Sequence, residues 1–203
     1  MLIELVIATL NREEKLKRLI GSIIRNNFSD TRIVIYPDYK QEDIVRIYNR
    51  HLEKFDADAF AYLGDDLELY PDCLKNAAEC LIKKFPDLDG VVKLNQVNIS
   101  AAKCPWALIG KNFIKRYKNN WVCCPDYTHF WFDAEIGLYA QELGKLVFCK
   151  EAKLMHYHPS FFSNEMDETH KIARRNKDME DKVYQERRKR NWLWGRDFNL
   201  ING

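Results

Sequence analysis

Short apolar runs alternate along this chain with segments of helical periodicity, and few folds are compatible with that order. Repeated units of a buried strand followed by a one-sided helix predict an α/β layer fold with a mostly parallel sheet. Leu2–Leu10 (LIELVIATL) reads as the first strand. Asn11 then stands where a helix cap is expected, with Glu14 three residues on in the capping-box position. Leu16, Leu19, Ile20, Ile23 and Ile24 place one apolar stripe on that helix. Arg32–Tyr36 is strand two, stopped by Pro37, and Ile44, Ile47, Tyr48, Leu52 and Phe55 trace the inner face of a second helix. Ala59–Leu63 (AFAYL) is a third strand that runs directly into Gly64-Asp65-Asp66. Pro71 suits the first turn of a helix reaching Phe85, with Leu74, Ala77, Ala78, Leu81 and Ile82 facing inward. Gly90–Val97, Leu146–Cys149 and Lys153–Tyr157 read as later strands. Between them Phe132–Leu143 is a helix ended by Gly144, a natural residue just past a helix C-terminus.

Several classes are excluded early. With 46% hydrophobic and 13% aromatic residues the chain can build a core, which rules out wholesale disorder. No apolar run approaches the ~18–20 residues that span a bilayer. Leu2–Leu10 holds Glu4 and runs into charged residues at Arg12–Arg18 without a small-residue cleavage site, which predicts a cytoplasmic chain. The six cysteines form no CxxC pair and read as small buried hydrophobes, the alternative being half a zinc site at Cys123-Cys124 near His129. Formal charge is only +2, yet nine basic residues against four acidic fall between Lys171 and Arg190. The organisation expected is one α/β domain over 1–160 and a basic, mainly helical extension over 161–203.

Asp65-Asp66 ends a strand, where open α/β sheets keep their ligands. Adjacent carboxylates repel, and a hard divalent ion bridging them to substrate phosphates relieves that repulsion. The other reading is a solvated acidic turn before the next helix. His156, in KLMHYHP near the end of the last strand, is a suitable nitrogen ligand for Mn²⁺, and alternation puts His158 on the same side. Asp133 and Glu135 open the Phe132–Leu143 helix, where the helix dipole favours carboxylates. Alternatively, one of them is a general base. Trp106, Trp121, Tyr127, His129 and Trp131 cluster before Asp133. Large aromatics usually serve the core, and at least half of these are expected to do only that; the other reading is an acceptor wall for a sugar ring or a base, with His129 a second candidate base.

In order, these residues are Ala8-Thr9-Leu10-Asn11-Arg12, Asp38, Leu63-Gly64-Asp65-Asp66, Phe132-Asp133-Ala134-Glu135-Ile136 and His156. The pattern resembles the GT-A nucleotide-sugar glycosyltransferases, in particular the inverting family-2-like enzymes, over roughly Leu2 to Pro159. The resemblance implies that Thr9, Asn11, Arg12 and Asp38 hold the nucleoside. Asp65 would meet the ribose, and Asp66 and His156 would hold Mn²⁺ or Mg²⁺. It further implies Asp133 as the base, with Glu135 behind it. Ala8 replaces the family's usual Pro, Gly64 its first acid, Phe132 its Glu and Tyr139 its frequent Arg.

The activity so implied is transfer of a sugar from a nucleoside-diphosphate sugar, UDP-linked by default, to an acceptor hydroxyl with inversion. The acceptor stays open among a glycan, a lipid-linked glycan and a modified base of a nucleic acid. The 171–194 tail has three readings: a solvated or oligomerising helix, a peripheral membrane contact through Arg187–Arg190 and Trp192–Trp194, or a grip on nucleic-acid phosphates. The competing class is a nucleotide- or nucleic-acid-binding module without catalysis. A pyrophosphorylase is disfavoured because Leu5–Arg12 contains no glycine.

Overall fold

The computed structural model describes residues 1–39, 41–98, 104–162 and 166–196. Strands β1 (Ile3–Thr9), β2 (Thr31–Pro37), β3 (Ala59–Gly64), β4 (Leu67–Leu69), β5 (Val91–Gln96), β6 (Ala107–Gly110) and β7 (Leu146–His156) form one seven-stranded sheet in the order β2-β1-β3-β6-β5-β7-β4. β1 pairs in parallel with β2 and β3, and β5 with β7, while β6 and β4 run against their neighbours. The helices are α1 (Glu13–Arg25), α2 (Ile44–Leu52), α3 (Cys73–Lys84), α4 (Lys111–Ile114), α5 (Phe132–Glu142), α6 (Pro159–Phe162), α7 (Glu168–Arg174) and α8 (Lys177–Lys189).

Strand alternation divides the core into two layers. Ile3, Leu5 and Ile7 of β1 pack with Ala61 and Leu63 against Leu19 and Ile23 of α1 and Leu74, Ala77 and Leu81 of α3. On the other face Val6, Phe60 and Tyr62 meet Tyr48 and Leu52 of α2 and Phe132, Ile136 and Tyr139 of α5. Each such Leu or Ile, fully withdrawn from water, contributes roughly 1.5–3 kcal/mol of transfer free energy. Ile24 and Ile82, expected on buried stripes, are 69% and 48% exposed, because each stripe is narrower than its run of apolar residues.

Several expectations are corrected. Asn11 does not cap α1: it turns with φ 51°, and Arg12 occupies the cap position without a side-chain cap bond. Pro71 lies before the cap residue Asp72, not in the first turn of α3. The two late strands are halves of one strand, β7, whose pairing with β5 jumps from Lys93–Phe148 to Asn95–Lys153. α5 ends as expected, with Gly144 at φ 67°. None of the six cysteines forms a disulfide, and Cys123 and Cys124 are fully buried. Among the described residues no helix is long and apolar enough to cross a membrane. The 161–203 segment is helical over the end of α6, α7 and α8; residues 163–165 and 197–203 of it lie outside the described residues.

Just before β5, Asp89 is buried and accepts from Arg116 Nε at 2.6 Å, with Lys145 Nζ at 3.0 Å. The Arg116 hydrogen bond, aided by Lys145, lowers its carboxyl below the usual range despite burial. Unfolded Asp titrates near 3.9. The pair's stabilisation is therefore fully present above about pH 4 and is lost as pH falls through the lower folded value. The melting temperature of Asp89→Asn should trail the wild type at pH 7 and converge on it below pH 4. A gap that stayed constant from pH 7 to pH 2.5 would contradict this account.

Candidate functional site

Parallel pairing of β1 with β3 sets Ala8 opposite Gly64, so the turns after the two strands lie side by side. Asp65 is consequently caught between them: Thr9 Oγ1 donates to its Oδ2 at 2.8 Å and Arg12 Nη1 to its Oδ1 at 2.8 Å. Burial nevertheless raises its carboxyl, outweighing Arg12 and Thr9. Asp66 faces the other way. Antiparallel pairing of Leu67 with His156 brings the end of β7 alongside, and His156 Nε2 lies 3.3 Å from Asp66 Oδ1. Burial alone would raise the Asp66 carboxyl, but contacts from His156 and His170 hold it well below the ordinary range. Two neighbouring carboxylates thus have opposite environments.

Gly64 has a steric reason. A Cβ there would lie 2.9 Å from Asp66 Oδ1 and 3.1 Å from the Trp106 ring. The acid that the family pattern carries at this position does not fit unless one of them moves. Trp106 in turn packs edge-on to His156, with ring centroids 5.2 Å apart.

Asp65, Asp66, His156, His129 and Asp133 all line one cleft of about 470 Å³. Its walls are aromatic, with Tyr48, Tyr62, Trp106, Trp131 and Phe132 among them. A second cavity of about 240 Å³ shares Ala8, His129 and Thr169 with the first and holds Thr9 and Asp38. Asp38 is oriented by accepting from the Glu42 amide at 2.7 Å, and burial raises its carboxyl. Burial also pushes the His129 imidazole down to about 4, so it is neutral at pH 7. Arg12 reaches the cleft, whereas exposed Asn11 lines neither cavity.

Glu135 is absent from the cleft lining. It is 1% exposed and accepts from Arg187 Nε at 2.7 Å, Tyr127 Oη at 2.8 Å and the Trp194 amide at 2.8 Å. That places it behind Asp133 as an anchor for α8. Tyr139 likewise packs on Phe113 and Tyr117 in the core.

The C-terminal segment contributes more than the sequence suggested. Glu180 of α8 is fully buried and accepts from Thr128 Oγ1 and from the amides of His129 and Phe130. Asp181 accepts from Trp131 Nε1 at 2.7 Å, and Tyr184 stacks on the Trp131 ring at 4.1 Å. Trp131 is thereby held at φ 71°. α8 fixes the loop that carries His129 and the aromatic wall. Asp167, which caps α7, binds Arg12 Nη2 at 2.6 Å and Lys15 Nζ at 2.6 Å. The available signal was acids at Asp167, Glu180 and Asp181 within a basic tail. In the motif read as a membrane or phosphate contact, Arg187 and Leu193 are buried and Trp194 Nε1 donates to the Trp121 carbonyl. Those three side chains are turned inward, whereas Arg188, Lys189, Arg190 and Trp192 of the same motif are exposed.

Among the described residues no three His, Cys, Asp or Glu side chains enclose a metal position. A divalent ion that shares substrate phosphates does not require such a cage, since one or two protein ligands suffice. Asp66 and His156 meet that requirement: a buried, ionised carboxylate beside an imidazole.

No protein-family model matches the sequence, and no curated protein matches it. Solved structures do. The S. aureus TarS 1–349 structure superposes with a TM-score of 0.55 at 15% identity, over 85% of this chain and 69% of that one. Its complex with UDP gives 0.56 at 12% identity, over 85% and 70%. A mannosyltransferase from Pyrobaculum calidifontis with GDP-Man and Mn²⁺ gives 0.57 at 9% identity, over 76% of this chain and 56% of that one. Against the longer TarS chain the coverage is 38% of its length. The GT-A type of α/β fold expected from the sequence is the fold these structures share with the chain.

Proposed function

We propose that the chain is a glycosyltransferase that moves a sugar from a nucleoside-diphosphate sugar to an acceptor hydroxyl with inversion. The observation that carries this is that two acidic groups line one cleft, Asp65-Asp66 just after β3 and Asp133 on the first turn of α5. The fold shared with structures that hold UDP or GDP-Man supports it.

The smaller cavity takes the nucleoside, with Asp38 and Thr9 facing it. Asp65, braced by Thr9 and Arg12, meets the ribose. Asp66 and His156 would hold Mn²⁺ or Mg²⁺ with the donor diphosphate, where the ion supplies Lewis-acid neutralisation of the leaving group. The acceptor ring lies against Trp131 and its aromatic neighbours, which suit a sugar face. Asp133 takes the proton as the acceptor oxygen bonds to the anomeric carbon and the carbon–phosphate-oxygen bond breaks. The nucleoside diphosphate leaves as the anion. Attack from the face opposite the leaving group inverts the anomeric centre.

Thermal shift tests the donor site. A ligand at 100 times its Kd stabilises the native state by about 2.7 kcal/mol. At about 2–4 °C per kcal/mol for a chain of this size, UDP or GDP with Mn²⁺ should raise the melting temperature by roughly 5–10 °C. Asp66→Ala should lose the Mn²⁺-dependent part. Absence of any shift with UDP, GDP, CDP or ADP would leave the fold and remove the donor site.

A further inference from the structure

α7 and α8 form one rim of the cleft, and the charge on that rim is unbalanced. Arg174 of α7 and Lys177 of α8 line the cleft beside Phe130 and Trp131. Arg174 donates to the Ser160 hydroxyl at 3.4 Å and has no carboxylate partner among the described residues. Lys177 Nζ donates to Asp181 at 2.6 Å and lies over the Phe130 and Trp131 rings. Along α8, Lys177, Asp181, Tyr184 and Arg188 recur at i, i+4, i+7 and i+11 and so make one row. Tyr184, stacked on Trp131, turns that row towards the cleft. From Lys177 to exposed Arg188 the row runs about 16 Å.

The acids of these helices do not neutralise it. Glu168, Asp181 and Glu186 are engaged by Arg175, Lys177 and Arg190. Lys171, Arg174, Lys182, Arg188 and Lys189 are exposed and without an ion pair among the described residues, against one exposed acid, Asp178. A row of cations that leads to aromatic faces is how single-stranded nucleic acids are held, the cations following the phosphates while bases stack on the rings. Tyr48, Trp106, Phe130 and Trp131 supply such faces in the cleft. An anionic membrane fits the rim less well, because it calls for interfacial indoles. Trp194 is turned inward, and Trp192 lies under the Arg190 guanidinium at 4.9 Å.

We infer that the α7–α8 rim binds the backbone of a single-stranded nucleic acid through Arg174, Lys177 and Arg188, and that bases of this strand enter the cleft, which makes the strand the acceptor. The inference rests on the reading of the cleft as a glycosyltransferase site. In the transfer, a hydroxyl oxygen of the strand bonds to the anomeric carbon and its proton passes to Asp133. The nucleoside diphosphate leaves with the electron pair of the broken carbon–oxygen bond.

The test is fluorescence anisotropy of a labelled oligothymidylate with the full chain, from about 50 to 200 mM salt. Three phosphate contacts give a slope of log affinity on log salt of about −2. Arg174→Gln with Arg188→Gln should bring the slope to about −0.7 and weaken binding about tenfold or more, whereas lysine at both positions should preserve it. Lys83→Gln, which removes a cation from α3 on the other face of the sheet, should change nothing. An abasic strand should bind the wild type about tenfold more weakly than oligothymidylate. Trp131→Leu, or Phe130→Leu if that variant does not fold, should erase this difference. Equal loss in Lys83→Gln, equal binding of the abasic strand, or a preference for phosphatidylserine vesicles over the strand overturns the inference. If the strand does not bind while UDP or GDP with Mn²⁺ still raises the melting temperature, the donor site stands and this acceptor falls. If the strand binds and no nucleotide does, the acceptor role falls together with the donor site.

Discussion

Asp133→Asn should lower turnover by about 10²–10⁴-fold and leave UDP or GDP binding within about twofold of wild type. The amide keeps the volume and polarity of the carboxylate but cannot accept a proton from the acceptor hydroxyl. Asp133 lies in the first turn of α5, where the helix dipole favours the ionised form a base needs. Glu135 cannot substitute, since its carboxylate accepts from Arg187, Tyr127 and the Trp194 amide behind the cleft. His129 can, because its buried imidazole is neutral at pH 7 and lines the same cleft. The pair of variants separates them: if His129→Gln carries the large loss and Asp133→Asn does not, the base has been misassigned. Product configuration is an independent readout. A retained anomer, seen by nuclear magnetic resonance of the first product formed, would sink the single in-line displacement whatever the variants do.

Asp133, Asp65 and Asp66 were legible because each belongs to a local pattern: a strand that ends in acids, and a helix that opens with them. β1, β2 and β3 were legible for the same reason, each an apolar run with a clear stop. β4 and β6, at three and four residues, are too short to carry a period, so their pairing is visible only in the sheet. β7 reads as two strands because exposed Lys150 and Glu151 interrupt its apolar residues at the point where its pairing with β5 shifts. The clasp of α7 on the site was invisible for a different reason. Asp167 and His170 are ordinary polar residues in a polar segment, and their partner Arg12 lies 155 positions earlier than Asp167. No local periodicity encodes a contact of that range. The same holds for α8, where a count of basic residues suggests a solvated or phosphate-binding face.

The sharpest correction to that charge count is Arg187, and Arg187→Ala should destabilise the fold by about 3–5 kcal/mol. Its guanidinium donates Nε and Nη2 to the two oxygens of Glu135 at 2.7 and 3.0 Å, and Nη1 to Asp126 at 2.7 Å. Glu135 is almost wholly withdrawn from water. Removing the cation leaves a buried carboxylate with the Tyr127 hydroxyl and the Trp194 amide still donating but without its paired charge, and the cost is that of the stranded charge. At about 2–4 °C per kcal/mol the melting temperature should fall by roughly 6–20 °C. Replacing both partners, Glu135→Leu with Arg187→Met, should cost far less than Arg187→Ala alone, because no charge is then stranded. α8 also carries Glu180 and Asp181, which hold the 128–131 loop. Acceptor KM should therefore rise in Arg187→Ala before donor affinity changes. A basic residue that served nucleic acid or an anionic membrane would behave in the opposite way, with weaker binding to DNA or vesicles and an unchanged melting temperature. That outcome would return Arg187 to a solvent-facing tail, and Glu135 with it to the list of candidate bases.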